Sequence, residues 1–332
     1  MELREIGESG INITPMILGT WAIGGWWWGG SDDDKAIEAI NTAIDNGINC
    51  IDTAPVYGFG RSEKVVGEAI SGRRDEVFIA TKCGLRWDEE IGEYHFHDDT
   101  EELGEVDVYR NLNRDGILWE CEQSLRRLGI EVIDLYQCHW PDESTPIEET
   151  MGALMELKEQ GMIRAIGVSN FTPEMIEECL QYGEVHSSQP KYSLIDPGSM
   201  DEVIPYCAEH DIASIVYSPL EQGLLTGKVT PDREFAEGDK RANKVWFQEP
   251  NLLRALEVID EVMQPVADEK NCTLAQLTIA VTAAQPGITA PIVGARNKEQ
   301  AEQNAGAMNI EVTDDERDRI TEALGALEPI ED

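Results

Sequence analysis

The strongest constraint on the fold is an alternation along the chain, in which short apolar runs take turns with segments of helical apolar spacing. The run MILGTW, residues 16–21, is followed by DDDKAIEAINTAIDNG, where Ile37, Ile40 and Ile44 share one helix face and Gly47 ends the segment. From MILGTW onwards we count eight strand-like runs, each followed by a helical pattern. Eight such units predict an α/β fold of the closed (β/α)8 type, a TIM barrel.

The other strand-like runs are INCIDTA, EVFIATKCG, VIDLYQCHW, IRAIGVSNF, SSQPKYSLI, ASIVYSPL and ITAPIVGA. The alternative architecture is an open doubly wound sheet, but no G-x-G-x-x-G opens a helix after a strand. The glycine-rich GTWAIGGWWWGG lacks the G-K-[ST] of a P-loop. No linker-like composition divides the chain, so we expect one domain over residues 1–332, with an N-terminal hairpin before the barrel and an extra C-terminal helix after it.

Charge restricts the surroundings and partners of the protein. Lys and Arg number 26 against 65 Asp and Glu, so the net charge is −39, and the acidic residues are spread along the chain. A folded protein this negative repels itself in dilute buffer, and salt screens the repulsion. We interpret it as a halophilic protein from a high-salt cell; the alternative is a merely acidic protein. Nucleic-acid binding is disfavoured because phosphates require basic patches.

Several features favour a cytoplasmic location. No stretch approaches the ~20 apolar residues that a membrane helix needs, so no membrane association is expected. The N-terminus, MELREIGESG, has neither the basic nor the apolar region of a secretory signal. Seven cysteines are scattered along the chain, and none forms a C-x-x-C pair. This pattern is typical of reduced, structural thiols in a reducing compartment.

Polar residues stand where the predicted strands end, and the strand ends of a barrel share the face on which active sites are built. These residues are Asp52, with Tyr57 on its loop, Lys82, His139, Ser169, Asn170, Gln189, Tyr217 and Ser218. Taken singly, each has an ordinary explanation. Asp52 could cap its own loop, Lys82 could be a solvated strand end, and His139 could be a satisfied histidine near the core.

Together, four of these residues predict an acid–base site. A lysine beside a carboxylate is stabilised as a cation, and Lys82 next to Asp52 would favour the phenolate of Tyr57, drawing its pKa down from ~10. A tyrosine tuned in this way gives or takes a proton near neutral pH. His139 would orient a substrate carbonyl. Carbonyl reduction is a reaction that needs such a proton donor.

Ordered motifs along essentially the whole chain resemble those of the aldo-keto reductase superfamily: ILGTW, IDTAPVYGFGRSE, IATKCG, LYQCHWPD, IGVSNF, QP…YSLI, YSPLEQGLLTGK and IVGARNKEQAEQN. These motifs are most similar to those of the bacterial and archaeal branch that includes the voltage-gated potassium channel β-subunits. The resemblance implies that Asp52, Tyr57, Lys82 and His139 are the catalytic tetrad. Hydride would pass reversibly between a nicotinamide and the carbonyl carbon of an aldehyde, ketone or sugar, with Tyr57 as general acid.

The resemblance also implies a nicotinamide cofactor that lies extended across the barrel mouth without a Rossmann fold. Ser169, Asn170 and Gln189 match residues that hydrogen-bond the nicotinamide carboxamide, and Tyr217 matches the aromatic residue under the ring. The other implied contacts are Thr20 and Trp21 near the nicotinamide, Ser218, Pro219, Leu220, Gln222, Gly223, Leu225 and Lys228 at the pyrophosphate, Arg241 on a lid, and Gly294, Arg296, Gln300, Gln303 and Asn304 at the adenosine.

One departure bears on the choice of cofactor. The aldose-reductase branch of the superfamily has a Lys-Ser pair at the 2′-phosphate, where this chain has Gly294 and Ala295. Arg296 remains, and its planar guanidinium can hold a phosphate through two parallel hydrogen bonds. We therefore expect NADP(H) to be preferred, with NAD(H) as the possible alternative.

Two further sequence features, and the function itself, leave alternatives open. HFHDD, residues 95–99, is interpreted as a solvated loop and not as a metal site, since a second ligand cluster is missing. The three tryptophans at residues 26–28 predict an apolar lip of the substrate pocket or, alternatively, a patch that binds a partner. The expected ligand is a small carbonyl or alcohol. The alternative function is a nicotinamide-binding regulatory module with weak or no turnover, similar to the channel β-subunits.

Overall fold

Eight parallel strands close into a barrel in the computed structural model, which describes residues 2–25, 32–100, 103–235 and 239–330. The strands of the described residues are, in chain order, β1 (Arg4–Glu5), β2 (Asn12–Ile13), β3 (Ile17–Gly19), β4 (Cys50–Asp52), β5 (Phe78–Cys83), β6 (Leu85–Arg86), β7 (Glu93–Thr100), β8 (Gly104–Arg110), β9 (Ile133–Cys138), β10 (Ile163–Ser169), β11 (Ser187–Gln189), β12 (Ala213–Val216) and β13 (Ile288–Gly294).

The barrel consists of β3, β4, β5 and β9 to β13, so that strands adjacent in this order are adjacent in space and β13 closes onto β3. The predicted single-domain (β/α)8 barrel is therefore confirmed. All eight carboxyl ends lie on one face of the barrel, which is where the polar strand ends of the sequence meet.

Helices follow the strands, as the alternating pattern predicts. The α-helices of the described residues are α1 (Asp33–Asp45), α2 (Arg61–Ala69), α3 (Arg114–Leu128), α4 (Ile147–Glu159), α5 (Pro173–Tyr182), α6 (Val203–Glu209), α7 (Asn251–Val258), α8 (Gln264–Glu269), α9 (Leu274–Ala283), α10 (Lys298–Gly306) and α11 (Asp314–Gly325). Side chains cap several of them; Asp32 accepts a hydrogen bond from the Lys35 backbone N–H at the start of α1, and Thr273 forms a capping box with Gln276 on α9.

The barrel interior is closed at the end opposite the site by the N-terminal hairpin, the antiparallel pair β1 and β2. Ile6, Ile11 and Ile13 of this segment are fully buried and pack with apolar residues inside the barrel, such as Leu135 and Ala165. Burial of isoleucine side chains here stabilises each by about 1.5–3 kcal/mol relative to exposure. The hairpin therefore acts as an apolar floor beneath the site.

The C-terminal helix α11 lies outside the eight-fold repeat. Its residues Ile320 and Leu324 are buried in an apolar cluster with Ile259 and Met263, which belong to a π-helical segment between α7 and α8. This is the extra helix that the sequence indicates. None of the helices in the described ranges is long and apolar enough to cross a membrane.

The segment after β5 is a correction to the sequence interpretation. HFHDD was predicted to be a solvated loop, but it lies in β7, which pairs with β8 in a three-stranded antiparallel sheet ordered β6-β8-β7. The cause is cross-strand pairing over 93–110, which supplies backbone hydrogen bonds that the polar composition of the segment does not reveal. Part of this sheet lies over the mouth of the barrel, because His95 and Phe96 line the cavity described below.

Candidate active site

Four side chains predicted to form the tetrad lie together at the carboxyl ends of three neighbouring strands. The Lys82 Nζ, at the end of β5, donates to Asp52 Oδ1 at 2.6 Å and to the Thr53 carbonyl at 2.9 Å. The same nitrogen lies 3.3 Å from the Tyr57 hydroxyl. His139, directly after β9, packs edge-on against the Tyr57 ring with 5.7 Å between ring centroids. One cation therefore bridges a carboxylate and a phenol.

The turn that carries Tyr57 is held by a close approach of two backbones. Gly58 has a φ of +65°, and a Cβ on it would lie 2.3 Å from the Gly24 carbonyl oxygen, so only glycine fits without a shift. Beneath the turn, the Ser62 hydroxyl donates to the Thr20 Oγ1 at 2.7 Å, and Thr20 Oγ1 donates to the Asp52 carbonyl at 3.0 Å. The Tyr57 phenol is therefore carried by a loop that close backbone packing and hydrogen bonds hold in place.

Electrostatics at the tetrad corrects one expectation. Burial raises the pKa of Tyr57 above its ordinary value, and the Lys82 cation opposes this rise without cancelling it. The prediction that Lys82 draws the pKa of Tyr57 below ~10 is therefore wrong, because the sequence does not reveal how completely the phenol is desolvated. Tyr57 is protonated at neutral pH, which is the state of a proton donor.

The charge states of Lys82 and His139 also follow from burial and neighbouring charges. Burial works to lower the pKa of Lys82, but Asp52 and Tyr57 outweigh it and the pKa of Lys82 is raised, so the ammonium stays charged. The pKa of His139 lies well below its usual range, first because of burial and second because of the Lys82 charge. His139 is a neutral imidazole, which has one N–H to donate.

The second oxygen of Asp52 has partners that the sequence interpretation missed or assigned elsewhere. Gln189 Nε2 donates to Asp52 Oδ2 at 2.9 Å, and Gln137 Nε2 donates to the same oxygen at 3.2 Å. Gln189, expected to hold a carboxamide, lines the cavity but uses its amide N–H here. The position of Gln137 could have been predicted from the sequence, since period-two alternation along β9 puts it on the same side as Leu135 and His139.

Ser169, Asn170 and Tyr217 form one hydrogen-bonded chain beside the tetrad. The Tyr217 hydroxyl donates to Asn170 Oδ1 at 2.9 Å, and Asn170 Nδ2 donates to the Ser169 hydroxyl at 3.1 Å and to the His139 carbonyl at 3.0 Å. The Ser169 hydroxyl in turn donates to the Gln189 carbonyl at 2.8 Å. These bonds connect the ends of β9, β10, β11 and β12 around the opening of the barrel.

A cavity of about 700 Å³ extends from the tetrad across the barrel mouth. It collects nearly all of the predicted site residues: Thr20, Trp21, Asp52, Tyr57, His139, Ser169, Asn170, Gln189, Tyr217, Ser218, Pro219, Leu220, Gln222, Gly223, Lys228, Arg241, Gly294, Arg296, Gln300, Gln303 and Asn304. Lys82 is fully buried below the cavity floor. Leu225 does not line the cavity, because its side chain is fully buried in the apolar core; its contact with the pyrophosphate stays a prediction.

The loop after β12 has an unusual backbone. Leu220 has φ −88° and ψ 7°, and Glu221 and Gln222 follow with φ values of 43° and 51°. Backbone of this kind can turn N–H groups towards an anion, and of these groups the Glu221 N–H already donates to the Ser218 carbonyl at 2.9 Å. The Arg241 guanidinium is held against this loop, since it pairs with Asp239 at 2.6 Å and donates to the Gln222 carbonyl at 3.3 Å.

The far end of the cavity lies at the start of α10. The Arg296 backbone N–H donates to Gln300 Oε1 at 2.8 Å, and Asn304 Nδ2 donates to the Gly294 carbonyl at 3.1 Å. Gln303 Nε2 donates to the Thr273 hydroxyl at 2.9 Å. Gln300 and Asn304 therefore also support the backbone of their own turn, whereas Gln303 connects α10 to the residue that caps α9. The exposed Arg296 brings a positive charge to this end of the cavity.

The cavity wall also contains residues to which the sequence interpretation gave no role in the site. They are Ala22, Val56, Leu85, His95, Phe96 and Trp140. Most are apolar or aromatic, as expected of a small-molecule pocket. Trp140 could have been predicted to lie near the site, since it directly follows His139. The predicted lip of tryptophans at residues 26–28 lies outside the described residues.

The fold and the tetrad define a barrel oxidoreductase, and comparison with known proteins identifies the family. Residues 15–324 match the Aldo/keto reductase family. The chain belongs to this family and is an oxidoreductase. It is 41% identical to the NADH-specific methylglyoxal reductase of Escherichia coli over 99% of this chain and 100% of that one. It is 39% identical to the aldo-keto reductase YhdN of Bacillus subtilis over 91% and 87% of the two chains.

A solved structure and more distant relatives agree with this assignment. The glycerol dehydrogenase AKR11B4 of Gluconobacter oxydans superposes with a TM-score of 0.88 at 36% identity, covering 99% of this chain and 97% of that one. An NADP(+) aldo-keto reductase of Schizosaccharomyces pombe is 32% identical over 98% of this chain and 92% of its own. A probable voltage-gated potassium channel β-subunit of Arabidopsis thaliana is 29% identical over 93% and 92% of the two chains.

Proposed function

We propose that this protein is an NADP(H)-dependent reductase of small aldehydes, ketones or sugars, with Tyr57 as the general acid. The observation that carries the proposal is the position of Lys82 Nζ, 2.6 Å from Asp52 Oδ1 and 3.3 Å from the Tyr57 hydroxyl, under one end of a long cavity. The relatives reported above include proteins named for methylglyoxal reduction and for glycerol dehydrogenation, which supports a carbonyl or alcohol substrate.

The cavity fits an extended dinucleotide. It joins the tetrad to the loop backbone at residues 220–222 and to Arg296, so a neutral ring, a pyrophosphate and a phosphorylated ribose would each meet suitable groups. A reduced nicotinamide, when bound, supplies the hydride that is added to the carbonyl carbon. Ser169, Asn170 and Gln189 would hold its carboxamide, and Tyr217 would support the ring.

The chain's own residues would handle the proton. The carbonyl oxygen would accept hydrogen bonds from the Tyr57 hydroxyl and from the neutral His139 imidazole, which polarises the C=O bond. As the carbon accepts the hydride pair, the Tyr57 proton moves to the oxygen and an alcohol forms. The resulting phenolate faces the Lys82 cation, which stabilises the new negative charge. Asp52 keeps Lys82 charged throughout.

The test compares native protein with Tyr57→Phe in NADPH oxidation with a panel of aldehydes and ketones. The phenylalanine variant removes only the hydroxyl, so we expect normal folding and a loss of at least about a hundredfold in turnover, the usual share of general acid catalysis. Tyr182→Phe is the matched control, since Tyr182 is 41% exposed on α5 and outside the cavity. Full turnover by Tyr57→Phe, or none by native protein with any carbonyl, would reject the proposal.

The preference for NADP(H) is supported by Arg296, the exposed cation at the adenosine end of the cavity. A planar guanidinium matches the geometry of a 2′-phosphate. NAD(H) is the competing cofactor, and one relative is named for NADH specificity and another for NADP(+). Cofactor titration of the native protein by fluorescence quenching separates the two, with tighter binding of NADPH expected.

A second candidate is a nicotinamide-binding regulatory module, which is favoured by the similarity to a probable potassium channel β-subunit. Cofactor binding without carbonyl turnover would support that reading. We further propose that the protein works in the cytoplasm of a high-salt cell, as the net charge of −39 and the seven free cysteines suggest.

A further inference from the structure

His95 reaches the cavity because β7 contains a bulge. Tyr94 pairs with Tyr109 and Phe96 with Val108, and the register shifts between them, so His95 has no opposite residue. In a regular strand, consecutive side chains point to opposite faces. Here His95 and Phe96 both line the cavity. Bulges are frequent beside active sites, where they redirect a side chain.

Arg110 on β8 determines which nitrogen of His95 is a hydrogen-bond donor. The Arg110 Nε–H donates to His95 Nδ1 at 3.1 Å. Arginine has no acceptor, so Nδ1 carries the lone pair and the proton of the neutral ring is on Nε2. Arg110 is itself held by the Glu93 carboxylate at 3.5 Å and lies over the Trp140 ring at 5.3 Å. Arg110 does not line the cavity, whereas His95 does.

The charge state of His95 agrees with this hydrogen-bond pattern. Burial and the Arg110 charge lower the pKa of His95 to about 4, while Glu93 opposes the shift. The ring is therefore neutral at pH 7, with Nε2–H as its donor. Its ring centroid lies 5.3 Å from that of Trp140, the residue after His139. His95 therefore lies beside the residue that follows His139, and it lines the same cavity as Tyr57 and His139.

We propose that His95 recognises, through its Nε2–H, an oxygen on the carbon next to the reacting carbonyl, so that the enzyme prefers 2-hydroxyaldehydes, hydroxyketones and 2-oxoaldehydes. The wall around His95 also contains Val56, Leu85 and Phe96, which suit an unsubstituted alkyl chain. A substrate oxygen that accepts this hydrogen bond in place of water is favoured over a methyl group at the same position. This inference rests on the proposed reductase function.

The test uses two aldehydes of nearly equal shape, 2-hydroxypropanal and 2-methylpropanal, which differ by a hydroxyl in place of a methyl group. The ratio of their kcat/KM values is measured for native enzyme, His95→Leu and His95→Gln. A neutral hydrogen bond of this kind contributes about a tenfold preference. We expect His95→Leu to lose most of that preference, mainly through the KM for 2-hydroxypropanal. Glutamine places an amide N–H near the position of Nε2, so His95→Gln should retain most of it.

The outcomes separate this inference from the proposed function. Turnover of both aldehydes with an unchanged ratio in His95→Leu would overturn the role of His95 and leave the reductase intact. Turnover of other carbonyls by the native enzyme, but of neither aldehyde, would overturn the role of His95 alone, and no turnover of any carbonyl would reject both proposals. A second measurement does not depend on turnover: in ¹⁵N-histidine-labelled protein, the signals absent from His95→Gln should show a protonated Nε2 and an unprotonated Nδ1. The opposite tautomer would also overturn the inference.

Discussion

The ion pair between Asp52 and Lys82 leads to a quantitative prediction. Both side chains are almost fully buried, with 3% and 0% of their surfaces exposed, and their charged atoms are 2.6 Å apart. Asp52→Asn keeps the shape but removes the negative charge, which leaves a buried cation without a counter-ion. Removal of one partner of a buried pair costs about 3–5 kcal/mol.

The length of the chain converts this cost into a melting temperature. Unfolding entropy is about 2.1 cal/mol/K per residue, and the chain has 332 residues, so the total is about 0.7 kcal/mol/K. A loss of 3–5 kcal/mol therefore lowers Tm by about 4–7 °C. Asp52→Asn should also lower turnover, because Lys82 would hold its proton less firmly beside Tyr57.

A surface pair provides the matched control for this measurement. Arg73 and Asp45 are 2.8 Å apart, but Asp45 is 65% exposed. Such pairs contribute about 0–1 kcal/mol, so Asp45→Asn should lower Tm by at most about 1.5 °C. Both variants are followed by circular dichroism in the same buffer and salt. Equal shifts for Asp52→Asn and Asp45→Asn would refute the reasoning that burial makes the difference.

A double-variant cycle tests the pair as a unit. Lys82→Met alone leaves the Asp52 carboxylate with only its amide donors Gln137 and Gln189, so a loss similar to that of Asp52→Asn is expected. Combining Lys82→Met with Asp52→Asn removes both charges, and the double variant should lose less stability than the two single variants together. Additive losses would show that the two charges are not coupled.

Three further predictions concern pH, cofactor choice and salt. Burial lowers the pKa values of His139 and His186, and it lowers the pKa of His95 to about 4. The unfolded chain takes up these protons near pH 6.5, so the free energy of unfolding should be at its full value above that pH and should fall as the pH drops towards 4. The expected fall is up to about 1.4 kcal/mol per histidine per pH unit. Urea midpoints at pH 7.5 and 5.0 check this, and His139→Gln should weaken the dependence. Arg296→Glu should raise the KM for NADPH far more than that for NADH; equal effects would remove Arg296 from phosphate recognition. Dialysis from molar salt into dilute buffer should cause loss of structure by circular dichroism, and an unchanged spectrum would contradict the high-salt interpretation.

Much of the architecture was predictable because barrel strands leave a simple signal. Most buried parallel strands are short apolar runs, and each one here ends in, or is directly followed by, a polar residue or a Gly before a helical pattern begins. The positions of Asp52, Lys82 and His139 follow from that pattern alone, since strand ends of a barrel share one face. Tyr57 and Gly58 could be placed on the next loop for the same reason.

The rest depended on contacts that the sequence does not encode locally. The sheet of β6, β7 and β8 is polar and contains a bulge at His95. The alternation of side chains between its two faces is therefore interrupted where the pocket begins. Gln189 was assigned to a cofactor, yet it also donates to Asp52 from a distance of 137 residues along the chain. Leu225 was expected at the pyrophosphate from the resemblance of its loop, but its side chain packs in the apolar core, after two residues of positive φ, Glu221 and Gln222.

The corrected pKa of Tyr57 fits the proposed direction of proton transfer better than the original expectation did. A neutral phenol is inexpensive to bury, so the desolvated site holds the protonated donor before reaction. Once the proton has moved, the phenolate lies 3.3 Å from the Lys82 ammonium in the same dry surroundings, where a charge pair is stronger than in water. In the proposed reaction, burial and Lys82 would therefore act at different stages: burial would keep the proton on Tyr57 until a carbonyl accepts it, and Lys82 would stabilise the anion that remains. Asp52, held by Gln137 and Gln189, is what keeps that lysine charged.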